Sequence, residues 1–180
     1  MTRADGQWVS SSAAYLRPQA GPDAWTIEAQ RAGRSGTQAL LAAGVTMPPQ
    51  HIQRSLGLGV ADQAVLRRRL ISLDGRPVEL ADSWYPASIA EGTGLAELRK
   101  IRGSSVRLLA DLGYLIARAT EDVESRLATS EEASHLEIDE KTPVLVLTRL
   151  AYDKDDRLIE ASVMVTPGSE RLLRYEMKVD

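Results

Sequence analysis

The segment whose reading decides the fold runs from Ala64 to Pro86: A-V-L-R-R-R-L-I-S-L-D-G-R-P-V-E-L-A-D-S-W-Y-P. Two runs of Leu, β-branched and aromatic residues flank Asp74-Gly75. An Asp-Gly between such runs signals a hairpin, because tight turns need positive φ and Gly adopts it without a Cβ clash. Pro77 lies close enough to the turn to open a strand, although it could not sit in a strand's middle. The first arm is unusual in carrying Arg67, Arg68 and Arg69 in succession. Side chains alternate along a strand, so Arg67 and Arg69 share one face and Arg68 takes the other. At least one guanidinium must therefore face the less solvated side, or that face must hold a polar pocket.

Working outward, 180 residues suit one domain large enough to bury most of its apolar surface. The 43% hydrophobic and 26% charged content is that of a soluble globular chain. A net charge of −3 argues against phosphate-backbone binding by this chain itself. There is no cysteine, which excludes a disulfide framework, a thiolate nucleophile and a cysteine metal site. Only His51 and His135 could contribute imidazoles, so neither a metal nor another cofactor is expected. No run approaches the ~20 apolar residues of a membrane span, and the first residues lack a signal-peptide core; a cytoplasmic location is expected. Of the 22 basic residues only Lys100, Lys141, Lys154 and Lys178 are lysine, so the abundance of arginine is not by itself a site signal.

Before the hairpin, residues 1 to about 22 read as a poorly ordered or extended lead-in. Asp23 caps a short helix ending at Gly33. Thr37 to Met47 reads as a strand, and Pro49 to Leu56 as a helix closed by Gly57. After the hairpin, Ser88–Ala90 and Leu95–Lys100 read as helical turns. Ser104 or Ser105 caps a helix ending at Gly113. Ala117–Leu127 reads as a strand, and Thr129 with Glu132 forms a capping box for a helix to Leu136. Val144–Tyr152 and Leu158–Thr166 form a second hairpin, and Leu172–Val179 a last strand. The hairpins resemble each other: each has Arg in its first arm, an Asp-containing turn, and Glu79 or Glu160 early in its second arm. No repeat of fixed period is present. Paired strands with few, short helices predict an α+β domain on one antiparallel sheet. Gly57-Leu-Gly is no dinucleotide fingerprint, since no buried strand feeds it and no third glycine follows in register.

From about Tyr15 to Tyr175 the chain resembles the effector-binding (UTRA) domain of GntR-type transcriptional regulators of the HutC subfamily. The matching pieces are L-R-R-R-L-I-S-L-D-G-R-P-V-E-L with S-W-Y-P, S-S-V-R-L-L-A-D-L-G, E-D-V-E-S-R-L-A-T-S-E-E-A-S-H-L, and T-P-V-L-V-L-T-R-L-A-Y-D-K-D-D-R-L-I-E. The stretch D-A-W-T-I-E-A-Q-R-A-G-R-S-G is similar to the actinobacterial branch. The resemblance implies a chorismate-lyase-like α+β fold without lyase activity, a pocket beside the sheet, a homodimer, and coupling to an N-terminal winged helix-turn-helix that binds DNA. Fourteen residues before Tyr15 are too few for that unit. The expected organisation is a lead-in or linker remnant over 1–14 and the ligand-binding domain over 15–180. The chain is then a truncated piece, a fragment of a longer gene, or a free-standing effector domain.

The same resemblance implies the site. Counting back from Gly75 places the family's anion-holding arginine at Arg69, and a planar fork of donors suits a carboxylate or phosphate. The second such arginine of sugar-phosphate sensors corresponds to Ile71 here, with Arg67 as a substitute from the other side. A solvated edge strand is the plain alternative for the cluster. Ser105 matches the family's serine at a helix start, where a hydroxyl beside free helix N–H groups suits an anion, though a plain N-cap explains it equally. Arg107 stands where sugar-phosphate members often carry Tyr, which fits a different anion, and Thr166 where some use Tyr, which points away from a simple copy of the sugar site. Glu160 matches the acidic residue that accepts from ligand hydroxyl or amide groups, or it pairs across strands with Arg149. Glu79 and Asp82 are secondary candidates or ion-pair partners of the arginines. Trp84 and Tyr85 read as core and pocket wall. Glu121, Asp122 and Glu124 read as a solvated face. The expectation is a non-enzymatic sensor of a small anionic metabolite, with a free-standing dimerisation modulator or a lyase-like enzyme as alternatives.

Overall fold

Asp74 and Gly75 adopt φ of 50° and 82°, the doubly left-handed geometry of a tight hairpin turn. The turn joins β3 (Ala64–Leu73) to β4 (Arg76–Pro86). The Asp74 carboxylate also accepts from Ser35 N at 2.8 Å and Arg34 Nε at 2.7 Å, which ties the turn to the chain entering β2 (Gly36–Thr46). The structure is a computed structural model that describes residues 8–10, 12–18, 21 and 23–175. Its main sheet has six antiparallel strands, completed by β5 (Arg118–Leu127), β6 (Pro143–Tyr152) and β7 (Leu158–Pro167). The strand order is β2-β3-β4-β7-β6-β5.

This order is a duplication that no sequence period betrays. Leu80 pairs with Val165, Asp82 with Val163 and Trp84 with Ala161. Exchanging the two hairpins with Glu79 set on Glu160 interchanges the first and third of these pairs and maps Asp82–Val163 onto itself. A register shift follows Ile71 in one hairpin and Ala151 in the other, opposite Glu79 and Glu160 respectively. Arg69 thereby corresponds to Arg149. Arg69 stands opposite Leu40 of β2, whereas Arg149 stands opposite Glu121 of β5.

Short helices cover both faces. On the back, α2 (Gln50–Ser55) buries Ile52 with Ala64, Trp84 and Ala161, and α5 (Ser130–Leu136) buries Ala133 and Leu136 against Leu80, Val146 and Val165. The predicted capping box of α5 is present. On the front, α1 (Ala24–Arg31), capped by Asp23, presses Trp25 and Ala29 onto one end of the sheet. Gly36 permits this approach: a Cβ there would lie 2.7 Å from both Ala29 Cβ and Trp25 Nε1. The other end of the front face is covered by α3 (Ala87–Ala90) and α4 (Ser105–Asp111), which bury Ala90 and Leu109 with Val65, Tyr85 and Leu95.

Three readings are corrected. The lead-in is not featureless: β1 (Trp8–Ser10) pairs in parallel with β8 (Arg171–Leu173), Trp8 is buried 5.3 Å from Trp25 between ring centroids, and Ser12–Ala14 form a 3-10 turn. Leu95–Lys100 is turns and bends rather than helix, because the buried Arg67 guanidinium takes up its carbonyls. The last strand is only β8; residues 176–179 of that reading lie outside the described residues.

Candidate ligand-binding site

Between the two front-face apolar clusters the sheet carries charged and hydroxyl side chains among apolar ones, and there a cleft of roughly 1200 Å³ opens, its mouth included. Its floor is formed by β3, β4, β6 and β7, and its walls by the starts of α1 and α4 and by residues 12–17. Much of the floor is apolar, with Ile71, Leu145, Leu147 and Met164 facing in.

Arg69 rises from the floor of this cleft. Its Nη2 donates to Ser83 Oγ at 3.1 Å and its Nη1 to Gln38 Oε1 at 3.4 Å, while its buried Nε has no hydrogen-bond partner among the described residues. Ser83 Oγ lies 2.9 Å from Ser162 Oγ, which in turn donates to Glu160 at 2.6 Å. With Ser83 donating to Ser162, a one-directional chain of bonds runs from the guanidinium to the carboxylate. Glu160 is therefore not the partner of Arg149, as one sequence reading had it. Arg149 instead donates to Glu121 at 2.6 Å.

The other two arginines of the floor are ion-paired. Glu79 accepts from Arg171 of β8 and from Thr166 Oγ1 at 3.5 Å. Glu121, read from sequence as solvated, also accepts from Ser12 at 2.9 Å and Tyr175 at 3.0 Å. Burial alone would raise its carboxyl, but these hydrogen bonds and the Arg149 charge hold it below the usual carboxylate range. Of the four arginines lining the cleft, Arg149 and Arg171 thus have carboxylates. Arg69 and the exposed rim residue Arg17 have none within 4.0 Å among the described residues.

The structure brings Arg69, Ser105, Glu79 and Glu160 to one cleft and leaves the other candidates outside it. Asp82 is on the back face, where both its oxygens accept from Arg68 at 2.8 and 2.7 Å, with Glu131 on the same guanidinium. Alternation along the strand requires this, since Arg68 and Asp82 are register partners. Arg107 points along its own helix to Asp111 at 2.9 Å and is exposed. Arg67 is 4% exposed, and its guanidinium donates to the carbonyls of Gly94, Leu95, Glu97 and Arg99; it clamps a loop. Desolvation lowers its pKa accordingly. Ser104, not Ser105, is the N-cap of α4, accepting from Arg107 N at 3.1 Å.

Sequence reasoning missed the walls from residues 12–17 and the role of Ser83 and Ser162. Tyr15 of that wall donates to Glu28, which Trp8 also reaches. Burial, then the Glu28 charge, pushes the Tyr15 phenol up, so it remains a donor at neutral pH. The Trp8 and Tyr15 aromatics were the one available signal, since a lead-in without a packing role has little use for them.

A sheet whose polar centre is flanked by apolar clusters and roofed by helix starts and an N-terminal strap defines a ligand-holding α+β domain. Residues 31–170 match the UTRA domain, and the chain belongs to that family. The HTH-type transcriptional repressor PhnF of Mycolicibacterium smegmatis is 27% identical over 145 residues, 81% of this chain and 59% of that protein. The HTH-type transcriptional regulator GgaR of Escherichia coli K12 is 25% identical over 118 residues, 64% of this chain and 44% of that protein. The chain spans about half the length of the curated relatives it matches. The crystal structure of the PhnF effector domain superposes with a TM-score of 0.75 at 25% identity, covering 88% of this chain and 99% of that one. A GntR-family regulator from Enterococcus faecalis V583 shares the fold, with a TM-score of 0.66 at 21% identity, over 80% of this chain and 99% of that one. The predicted α+β antiparallel architecture and the resemblance to GntR-type effector domains both hold.

Proposed function

We propose that this chain is the effector-sensing domain of a cytoplasmic GntR-type regulator of the HutC subfamily, acting as a homodimer. In this reading it binds a small anionic metabolite in the cleft, and a winged-helix domain supplies the DNA contact. The observation that carries the reading is Arg69, a partly buried guanidinium with no carboxylate within 4.0 Å among the described residues, in a cleft whose other floor arginines, Arg149 and Arg171, are ion-paired. A ligand acid group gains most where the protein has left a cation uncompensated and partly desolvated. Ser105 and Glu160 flank it as polar contacts, and Glu79 acts through Arg171. Asp82, Arg107 and Arg67 serve as supports outside ligand contact. Binding shifts the regulator only through unequal affinity for two arrangements of the dimer.

The cleft offers no persuasive catalytic pair among the described residues: Glu160 accepts from Ser162 and Glu79 from Arg171. A thermal-shift screen of acidic metabolites finds the ligand through the stabilisation it confers. Arg69→Ala should abolish that shift and leave the unliganded domain folded; an unchanged shift sinks the assignment. Turnover of a hit would favour the enzyme reading. An in-frame winged-helix segment in the genomic DNA upstream of Met1 would favour an attached head over a free-standing modulator.

A further inference from the structure

Arg69 stands between two spaces. Beyond it, away from the cleft, lies a second chamber of roughly 610 Å³ including its mouth. Its charged lining is Arg67, Arg69 and Lys100 against the single carboxylate of Asp23. Asp23 is already occupied: it accepts from Thr26 N at 3.0 Å, Thr26 Oγ1 at 2.9 Å and Gln38 Nε2 at 2.7 Å. Arg67 contributes charge, with both of its Nη atoms already donating to loop carbonyls. Lys100 is exposed at the mouth and has no ion-pair partner among the described residues.

Two buried side-chain polar atoms without a partner, the Arg69 Nε and the Tyr85 hydroxyl, belong to residues lining this chamber. Tyr85 is 0% exposed. Burial, then the Glu160 charge, pushes its phenol up against the Arg69 charge and the nearby Ser105 and Ser83 hydroxyls; those serines act as donors to the phenol oxygen and supply no acceptor for its proton. Both groups are donors, and buried donors without an acceptor are costly, so the arrangement calls for an acceptor oxygen. The Arg69 guanidinium that separates the two spaces is held by only two bonds, one of ordinary length at 3.1 Å and one long at 3.4 Å. On the cleft side Ile71, Leu145, Leu147 and Met164 offer a surface for an apolar group, beside the polar side chains of the same lining.

We infer that the effector is an amphipathic acid whose acid group passes Arg69 into the second chamber, accepting from Arg69 Nε and the Tyr85 hydroxyl with Lys100 at the mouth, and whose apolar body lies along the cleft floor. This deepens, and rests on, the reading of the cleft as the effector site. Tyr85 and Lys100 become specificity-determining residues.

The test uses the 180-residue chain. Its probes are aliphatic and aromatic monocarboxylates of about four to twelve carbons, each beside the primary amide of the same skeleton, with hexose phosphates as hydrophilic anions. Acids of intermediate length should raise the melting temperature, and the amides and hexose phosphates should not. For the tightest acid, Tyr85→Phe should weaken binding about tenfold or more. The same variant should leave the unliganded melting temperature close to its original value, since the proton of the buried hydroxyl has no acceptor among the described residues. A Tyr85 that served only the core would behave in the reverse way. Lys100→Gln should weaken binding about two- to fivefold at low salt and less at high salt. Stabilisation by hexose phosphates and not by acids, by no acid at all, or an affinity unchanged by Tyr85→Phe would each overturn the inference. A ligand lost on Arg69→Ala yet indifferent to Tyr85→Phe leaves the cleft reading standing and removes the chamber; a ligand indifferent to both removes both.

Discussion

The duplicated sheet offers a direct way to switch off Arg69. In one half Arg149 faces Glu121 across the strands; in the other, Arg69 faces Leu40 at the equivalent register. Leu40→Glu would place a carboxylate opposite Arg69, as Glu121 stands opposite Arg149. The natural pair closes at 2.6 Å with side chains 14% and 10% exposed. Two unit charges ~4 Å apart attract by about 4 kcal/mol at an effective dielectric constant near 20. Desolvation removes much of this; if about a third survives, ~1.4 kcal/mol, a ligand acid competing for Arg69 binds about tenfold more weakly. Leu40 is only half-buried, so the unliganded domain should keep its stability within about 1 kcal/mol. The assay is calorimetric titration of the effector found by the acid screen, with Leu40→Gln as a control of the same size that should hold affinity within about twofold. An effector bound equally well by Leu40→Glu, in a variant shown by crystallography to form the new ion pair, would refute the idea that an unmatched Arg69 holds the ligand.

Two further outcomes follow from the network around the cleft. Glu121 has a depressed pKa in the fold, so its stabilising contribution is complete above its ordinary value near 4.5 and is lost as pH falls through the lower folded value. Glu121→Gln should therefore cost about 1–2 kcal/mol at pH 7, discounted for partial exposure, and flatten the fall in urea midpoint below pH ~4.5. Arg67→Met should cost about 3 kcal/mol or more by urea denaturation, because four carbonyls lose their donor, and should expose the Gly94–Arg99 segment to proteolysis. A loss below ~1 kcal/mol would deny Arg67 its clamp.

The main sheet was legible because its signals are local. Asp74-Gly75 sets a turn through backbone φ, Asp23 and Thr129 cap helices within one turn of themselves, and alternation puts Arg68 on the opposite face from Arg67 and Arg69. The site was legible only in part. Arg69, Ser105, Glu79 and Glu160 reach the cleft, but Asp82 had to follow Arg68 to the back, and Arg107 found Asp111 one helical turn away. The N-terminal strap was illegible for a different reason. Three residues of strand carry no periodicity, and Trp8 acquires its role only when β8, more than 160 positions later, comes beside it.

The amino-acid sequence by itself thus determined the two hairpins, the faces of the three arginines and the family, because turn chemistry, strand alternation and ordered motifs are properties of neighbours along the chain. Which arginine stands unmatched was decided only by tertiary structure. Arg69 and Arg149 occupy equivalent places in similar hairpins, and the difference between them is a strand partner distant in sequence, Leu40 for one and Glu121 for the other. Charge compensation depends on what lies opposite in space, and pairing across strands supplies that only once the chain has folded.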